Sequence, residues 1–212
     1  VSLTEASPLF AALGQQIAID AALPRNIWRI ADLATDKIEG AACDLVTAAY
    51  VFNELAPETR PRVLERLWRA TRQIFVIVEP GTPAGWQRVI DARSQLIEAG
   101  GHVVAPCPHD HTCPLQLPDW CHFAQRVARS RVHRLTKGAT VPWEDEKFSY
   151  VAVSRKPLVR AAQRVIARPR KAGGHVTLKL CNPDGTASTQ VISRRDGELF
   201  KHARRCDWGS LL

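Results

Sequence analysis

For most of its length the chain alternates apolar, strand-like runs with amphipathic stretches. "VSLTE" reads as the end of a strand. Ser7 then stands as an N-cap with Pro8 at the first helical position, which predicts a helix through "LFAALGQQIAIDAAL". "NIWRIADL" predicts a short strand ending at Asp32, and "CDLVTAAYVFNEL" begins as another from Asp44 to Ala48. Pro57 opens the amphipathic "ETRPRVLERLWRATR". "QIFVIVEPG" is almost wholly apolar, as a strand buried on both faces should be, and Pro80-Gly81 cuts it off. "AGWQRVIDARSQLIEAG" predicts a helix that stops at Gly100-Gly101. This alternation of strand and helix is that of an α/β protein with a parallel, doubly wound sheet.

Farther along, "FAQRVARSRVHRLTKG" predicts a basic helix and "KFSYVAVSRK" a strand; for "EDEK" before it a plain solvated turn is one open reading. Beyond Pro157 the texture changes. "GHVTLKLCNPDGTASTQVISRR" alternates apolar and polar residues around "NPDG", a hairpin signal, and "DGELFKHARRCDWG" reads as a short closing helix. The expected domains are therefore 1–156 and 157–212, the second a small basic hairpin and helix unit.

Composition narrows the setting. The chain has 212 residues, 45% hydrophobic and 24% charged, enough for one ordinary domain and an appendage. No apolar run reaches the roughly 18 residues of a membrane span. "VSLTEASPLF" has neither the cationic flank nor the apolar core of a secretory signal. Methionine is absent and Val1 falls inside a strand, so the chain reads as a piece of a longer one. Without an export signal a reducing compartment is expected, where clustered cysteines favour metal or redox chemistry over disulfides. The net charge of +8 is uneven: residues 1–154 carry 16 Lys and Arg against 17 Asp and Glu, whereas 155–212 carry 13 against 4. A basic appendage on a neutral body usually meets a polyanion, most often nucleic acid; a solvated basic face is the plain alternative.

The segment "APCPHDHTCPLQLPDWCHF" holds three of the six cysteines, spaced C-x5-C-x7-C as Cys107, Cys113 and Cys121. Proline follows the first two and stiffens the backbone that aims the sulfurs. Three thiols so close predict a metal or cluster site, which needs a fourth ligand. Cys43 opens an apolar strand, Cys206 lies in the arginine-rich closing helix, and Cys181 precedes the "NPDG" turn. His109, His111 and His122 are candidates to complete a zinc site instead. Four thiolates form a soft cage suited to a [4Fe–4S] cluster, which favours Cys181; zinc stays open.

Glu5 and Asp32 end successive strands, so both are expected to face the crevice where doubly wound sheets bind ligands. Their order, strand–Glu–helix–strand–Asp–strand, resembles class I S-adenosylmethionine-dependent methyltransferases from the second strand onward. That resemblance implies ribose binding by Glu5 and proximity to adenine for Asp32. The plain alternative is two polar residues at strand exits. The glycine-rich loop and first strand of that fold would precede Val1 and are not in this sequence.

"VEPGTPAGWQRVIDAR", "HVVAPCPHDHTCPL", "DWCHFAQRVARSRVHRLTKG", "EDEKFSYVAVSR" and "LCNPDG" together resemble the family of methyltransferase-like small-ribosomal-subunit assembly factors, and its bacterial members in particular. The resemblance runs through nearly the whole chain. It implies a methyltransferase-like fold carrying a [4Fe–4S] cluster on Cys107, Cys113, Cys121 and Cys181. It also implies action on small-subunit ribosomal RNA alongside ribosomal proteins, in the bacterial cytoplasm or, for a eukaryotic source, the mitochondrial matrix. No membrane partner is expected, and the chain is expected to be a monomer off the ribosome.

If Cys181 joins the other three, the cluster clips the basic tail to the body. Candidate phosphate contacts are Arg126, Arg129, Arg131, Arg134 and Lys137, with Arg168, Arg170, Lys171, Arg194, Arg195, Arg204 and Arg205. Trp143, Trp208 and Phe200 are candidate stacking aromatics or core residues. An RNA-binding assembly factor is thus weighed against an active S-adenosylmethionine-dependent ribosomal RNA methyltransferase and a zinc-binding RNA-binding protein. No catalytic nucleophile or base stands out.

Overall fold

A computed structural model describes residues 1–36, 42–160 and 162–212. Strand β1 (Ser2–Glu5) pairs in parallel with β2 (Ile27–Ile30), and helix α1 (Pro8–Asp20) joins them. Ser7 Oγ caps the helix by accepting from the Phe10 N–H. Strand β2 stops at Ile30, so Asp32 sits two residues past its end.

The main sheet has the order β3-β4-β7-β5, with β6 also on β7. Strands β3 (Cys43–Ala49) and β4 (Thr71–Pro80) are parallel, linked through a 3-10 turn at Pro57–Thr59 and helix α2 (Arg60–Arg69). Helix α3 (Pro83–Glu98) follows, capped by Thr82 Oγ1 on the Gly85 N–H at 3.1 Å. It ends before Gly100, whose φ of +79° suits glycine. Strands β5 (His102–Ala105) and β6 (Phe123–Ala128) both pair antiparallel with β7 (Trp143–Ser154), which is itself antiparallel to β4.

The expected parallel sheet is therefore mixed. It is also divided: β1–β2 is a separate two-stranded parallel sheet, and β3–β4 is the parallel pair of the main sheet, each pair linked through a helix. Between β6 and β7 only the short helix α4 (Arg131–Thr136) intervenes, and so short a connection returns the chain antiparallel. The same region corrects two further expectations. "FAQRVARSRVHRLTKG" is mostly not a helix: Phe123–Ala128 is strand, and only Arg131–Thr136 is helical. "EDEK" is not a turn but lies within β7. Cross-strand charge pairs explain both, because Arg126 Nε meets Asp145 at 2.8 Å and Arg129 binds Glu144.

The core under the main sheet joins Phe75, Ile77, Val103, Val151 and Val153 to Val63, Leu67 and Trp68 of α2 and Val89, Ala92 and Leu96 of α3. Each such Val, Leu, Ile or Phe side chain contributes roughly 1.5–3 kcal/mol by leaving water. The C-terminal part is a second sheet: β10 (His175–Cys181) lies between β11 (Ala187–Ser193) and β8 (Arg164–Val165), and β9 (Arg170–Lys171) also pairs with β10. The β10–β11 pair is the hairpin expected at "NPDG". With α5 (Glu198–Arg205) this sheet encloses Val165, Val176, Leu178, Leu180, Ile192 and Ala203. A third cluster, Trp86, Leu115, Ile166 and Cys181, joins the two parts beside the cysteine-rich segment. No helix among the described residues is long and apolar enough to cross a membrane.

Candidate functional site

The segment between β5 and β6 has little regular structure, so side chains must hold it. Trp120 Nε1 donates to the Gly81 carbonyl at 3.1 Å, and the Ser149 hydroxyl donates to the Cys121 carbonyl at 2.9 Å. From α3, Arg93 Nη2 donates to the carbonyls of His109 at 2.9 Å and His111 at 2.8 Å. Asp110 accepts from the Val103 N–H and pairs with Arg160.

The C-terminal sheet grips the other side. Lys179 pairs with Asp119, and Arg164 donates to the carbonyls of Pro106 and Gly209 at 3.0 and 2.8 Å. The tip of the β10–β11 hairpin lies against His111. Gly185 there has φ +85°, and a Cβ added to it would stand 2.7 Å from the His111 Cβ.

Between these contacts lies a small cavity of about 30 Å³. Cys107, Cys113, Cys121 and Cys181 all line it, with Trp86, Ile90, Arg93, Leu115 and Ile166. Its donor set is four sulfurs without a carboxylate, which suits a thiophilic metal or cluster. A single zinc ion would draw four sulfurs to about 3.8 Å from one another, given a Zn–S distance near 2.3 Å. Among the described residues no three His, Cys, Asp or Glu side chains are gathered to hold a metal ion. The four thiols line one cavity, with Cys107 and Cys181 in hydrogen-bonding reach of each other, a donor set that suits a thiophilic ion or a cluster.

Their ionisation is graded. The Cys107 thiol is pulled down to about 7, first by a hydrogen bond from Cys181 and then, against desolvation, by Arg93 and Arg164. Cys181, on the donating side of that bond, is pushed up. Burial raises Cys113 and, more strongly, Cys121. One thiolate is thus available near neutral pH, and the remaining protons leave only when an electrophile replaces them.

The other candidates lie elsewhere. Cys43 is exposed at the start of β3, and Cys206 is buried in the C-terminal core with Sγ 3.7 Å from the Leu211 carbonyl. His109, 1% exposed, places Nε2 3.3 Å from Cys181 Sγ and Nδ1 3.2 Å from the His111 carbonyl. His111 stacks on His109, and His122 packs between Trp120 and Trp208. Burial lowers both His109 and His122, so they sit as neutral rings.

Glu5 and Asp32 follow adjacent parallel strands at the same end, yet each carboxylate is turned to its own loop. Glu5 Oε1 accepts from the Ser7 N–H at 2.8 Å, and Asp32 Oδ1 from the Ala34 N–H at 2.7 Å. The basic candidates divide. Arg126, Arg129, Lys137 and Lys171 are paired with Asp145, Glu144, Glu144 and Asp207, and Arg194 and Arg204 donate to backbone carbonyls. Arg131, Arg134, Arg168, Arg170, Arg195 and Arg205 form no ion pair with a carboxylate among the described residues. Trp143 is covered by the Arg126 guanidinium, 3.7 Å from its ring centroid.

One residue of the site escaped the sequence reading. Arg93 shares the buried stripe of α3 with Trp86, Val89 and Leu96 and is 2% exposed. An arginine at a core position of an amphipathic helix is a legible signal, since such residues are almost never buried unpaired.

These features define an α/β protein whose cysteine-rich loop and C-terminal sheet share a cavity lined by four thiols. The family described as mitochondrial small ribosomal subunit Rsm22 matches residues 1–212, and the chain belongs to it. It is 34% identical over 187 residues to the human "Ribosome assembly protein METTL17, mitochondrial", covering 80% of this chain and 39% of that protein. It is 26% identical over 195 residues to the Schizosaccharomyces pombe "Rsm22-cox11 tandem protein 2, mitochondrial", covering 70% of this chain and 26% of that one. The chain thus spans well under half the length of these relatives. Among solved structures it is similar to magnesium protoporphyrin IX methyltransferase of Synechocystis PCC 6803 with bound SAH, at 12% identity and a TM-score of 0.48, covering 74% and 64% of the two chains. A TehB-like SAM-dependent methyltransferase of Corynebacterium glutamicum gives 21% identity and a TM-score of 0.46, covering 74% and 68%.

Proposed function

We propose that this chain is the cluster-holding, RNA-facing part of a small-ribosomal-subunit assembly factor. Cys107, Cys113, Cys121 and Cys181 would hold a [4Fe–4S] cluster, and the basic surface of residues 157–212, with α4, would contact ribosomal RNA among ribosomal proteins. The observation that carries the reading is the cavity. Three of its thiols belong to the segment docked on the body and the fourth to the strand that anchors the C-terminal sheet. The names of the relatives supply the assembly setting.

When bound, a cluster supplies iron–thiolate bonds and a redox-active core. The residues around it do the rest. Cys107 offers the first thiolate, Pro106, Pro108 and Pro114 limit backbone motion, and Leu115, Ile90 and Ile166 keep the cavity apolar. Lys179 and Arg164 hold the C-terminal sheet against the loop, which fixes where Arg168, Arg170 and Arg195 stand for phosphate contact.

The test is anaerobic purification with iron, zinc and acid-labile sulfide analysis. Iron and sulfide in equal amounts are expected, with Cys181→Ser losing most of both. Stoichiometric zinc without sulfide would refute the cluster assignment. A second reading, methyl transfer with S-adenosylmethionine, is favoured by Glu5 and Asp32 following adjacent parallel strands at one end. Calorimetry with S-adenosylmethionine on the longer protein tests it, and no binding heat would dismiss it.

A further inference from the structure

Of the buried polar side-chain atoms without a hydrogen-bond partner among the described residues, Arg93 Nε and Trp86 Nε1 belong to residues that line the four-cysteine cavity. Arg93 is the more unusual. The residue is 2% exposed, its guanidinium cannot be deprotonated, and it forms no ion pair with a carboxylate among the described residues. A buried cation is a large penalty unless something negative completes the site, and the acidic group that faces Arg93 is the Cys107 thiol of the cavity itself. Its Nη2 is committed to the His109 and His111 carbonyls, which leaves Nε on a cavity-lining side chain.

Four thiolates on a [4Fe–4S]2+ core carry a net double negative charge, and reduction by one electron makes it triple. We infer that Arg93 is the built-in counter-charge of that anion, donating from Nε toward its sulfur atoms, with the Trp86 indole N–H as a second donor. The inference rests on the cluster reading above. A cation beside the cluster stabilises the reduced state more than the oxidised one, so Arg93 sets the reduction potential as well as the retention of the cluster. A plain structural clamp for the loop would affect retention alone.

The experiment is a redox titration of the full chain, followed by EPR, after iron and sulfide analysis of the unaltered protein. Zinc without sulfide in that first step overturns the cluster reading, and this inference falls with it. With a cluster present, Arg93→Gln is expected to lower the reduced-to-oxidised ratio at a fixed poise at least about tenfold, a shift of about 59 mV to more negative potential for one electron. Arg93→Lys, which keeps the charge, should recover most of that shift, and Trp86→Phe should give a smaller shift in the same direction. An Arg93→Gln potential equal to that of the unaltered protein overturns the inference. If Arg93→Gln fails to fold or to hold iron, pulsed EPR on unaltered protein labelled with 15N-arginine decides. A nitrogen coupling to the reduced cluster is expected, and its absence refutes the role.

Discussion

Gly185 offers a sharp test of whether the C-terminal hairpin is seated on the cysteine-rich loop. It has φ +85°, where an L side chain costs about 1–2 kcal/mol, and a Cβ there would stand 2.7 Å from the His111 Cβ. Relieving such overpacking costs about 1–3 kcal/mol more. Gly185→Ala meets both terms and should lose about 2–5 kcal/mol. Gly185→Asn tolerates the left-handed backbone and meets mainly the contact, so about 1–3 kcal/mol is expected. In a chain of 212 residues each kcal/mol is worth about 2–4 °C in melting temperature. Thermal unfolding followed by circular dichroism should therefore rank the glycine protein above Asn and Asn above Ala. The two variants should hold less iron in the same order, since Cys181 lies four residues before the tip. If Gly185→Asn melts with the unaltered protein, the hairpin does not touch His111 and the reasoning fails.

Three further outcomes are expected. Glu79 is wholly buried and accepts from the Phe52 N–H at 3.0 Å and Arg88 Nε at 2.7 Å, so Glu79→Gln should cost about 1.5–3 kcal/mol in urea denaturation, and a loss below about 0.5 kcal/mol would contradict the pairing. RNA affinity should fall with salt, and Arg170→Ala or Arg195→Ala should each reduce the log–log slope by about 1, whereas Arg126→Ala, already neutralised by Asp145, should leave it nearly unchanged. The metal-free chain should gain stability as pH rises from 7 to 9: the lowered Cys107 thiol contributes fully above its ordinary value of 9.0 and loses that contribution as pH falls through about 7. A urea midpoint whose rise from pH 7 to 9 is the same in Cys107→Ser as in the unaltered protein would contradict that ionisation.

What could be read along the chain was what neighbouring residues determine among themselves. Ser7-Pro8, the stop at Gly100 and the "NPDG" turn are local signals, and α1, α3 and the β10–β11 hairpin follow them. Residues 123–147 misled because their structure depends on a partner. The charges of Glu144 and Asp145 look solvated until Arg129 and Arg126 face them across a ladder, and "QRVARSR" looks helical until that ladder claims its first half. The spacing of Cys107, Cys113 and Cys121 marked a candidate site by itself. That Cys181 lines the same cavity and that His109 lies against its sulfur depend on a contact spanning 72 residues, which no local pattern encodes. Arg93 was legible as an arginine on an apolar stripe, but its significance required seeing that no carboxylate answers it.

Cys181 closes a strand whose hairpin partner leads directly into the Arg194–Arg195 turn. Whatever grips those cations in the docked arrangement therefore also favours the position of the fourth sulfur. With the proposed cluster and RNA contact, linkage makes the relation reciprocal: a polyanion that prefers the docked sheet would tighten the hold on iron by the same factor by which bound iron would tighten the hold on the polyanion. Engaged molecules would then resist chelators that strip idle ones, so the metal content of a preparation would report how much of it had been occupied by its target.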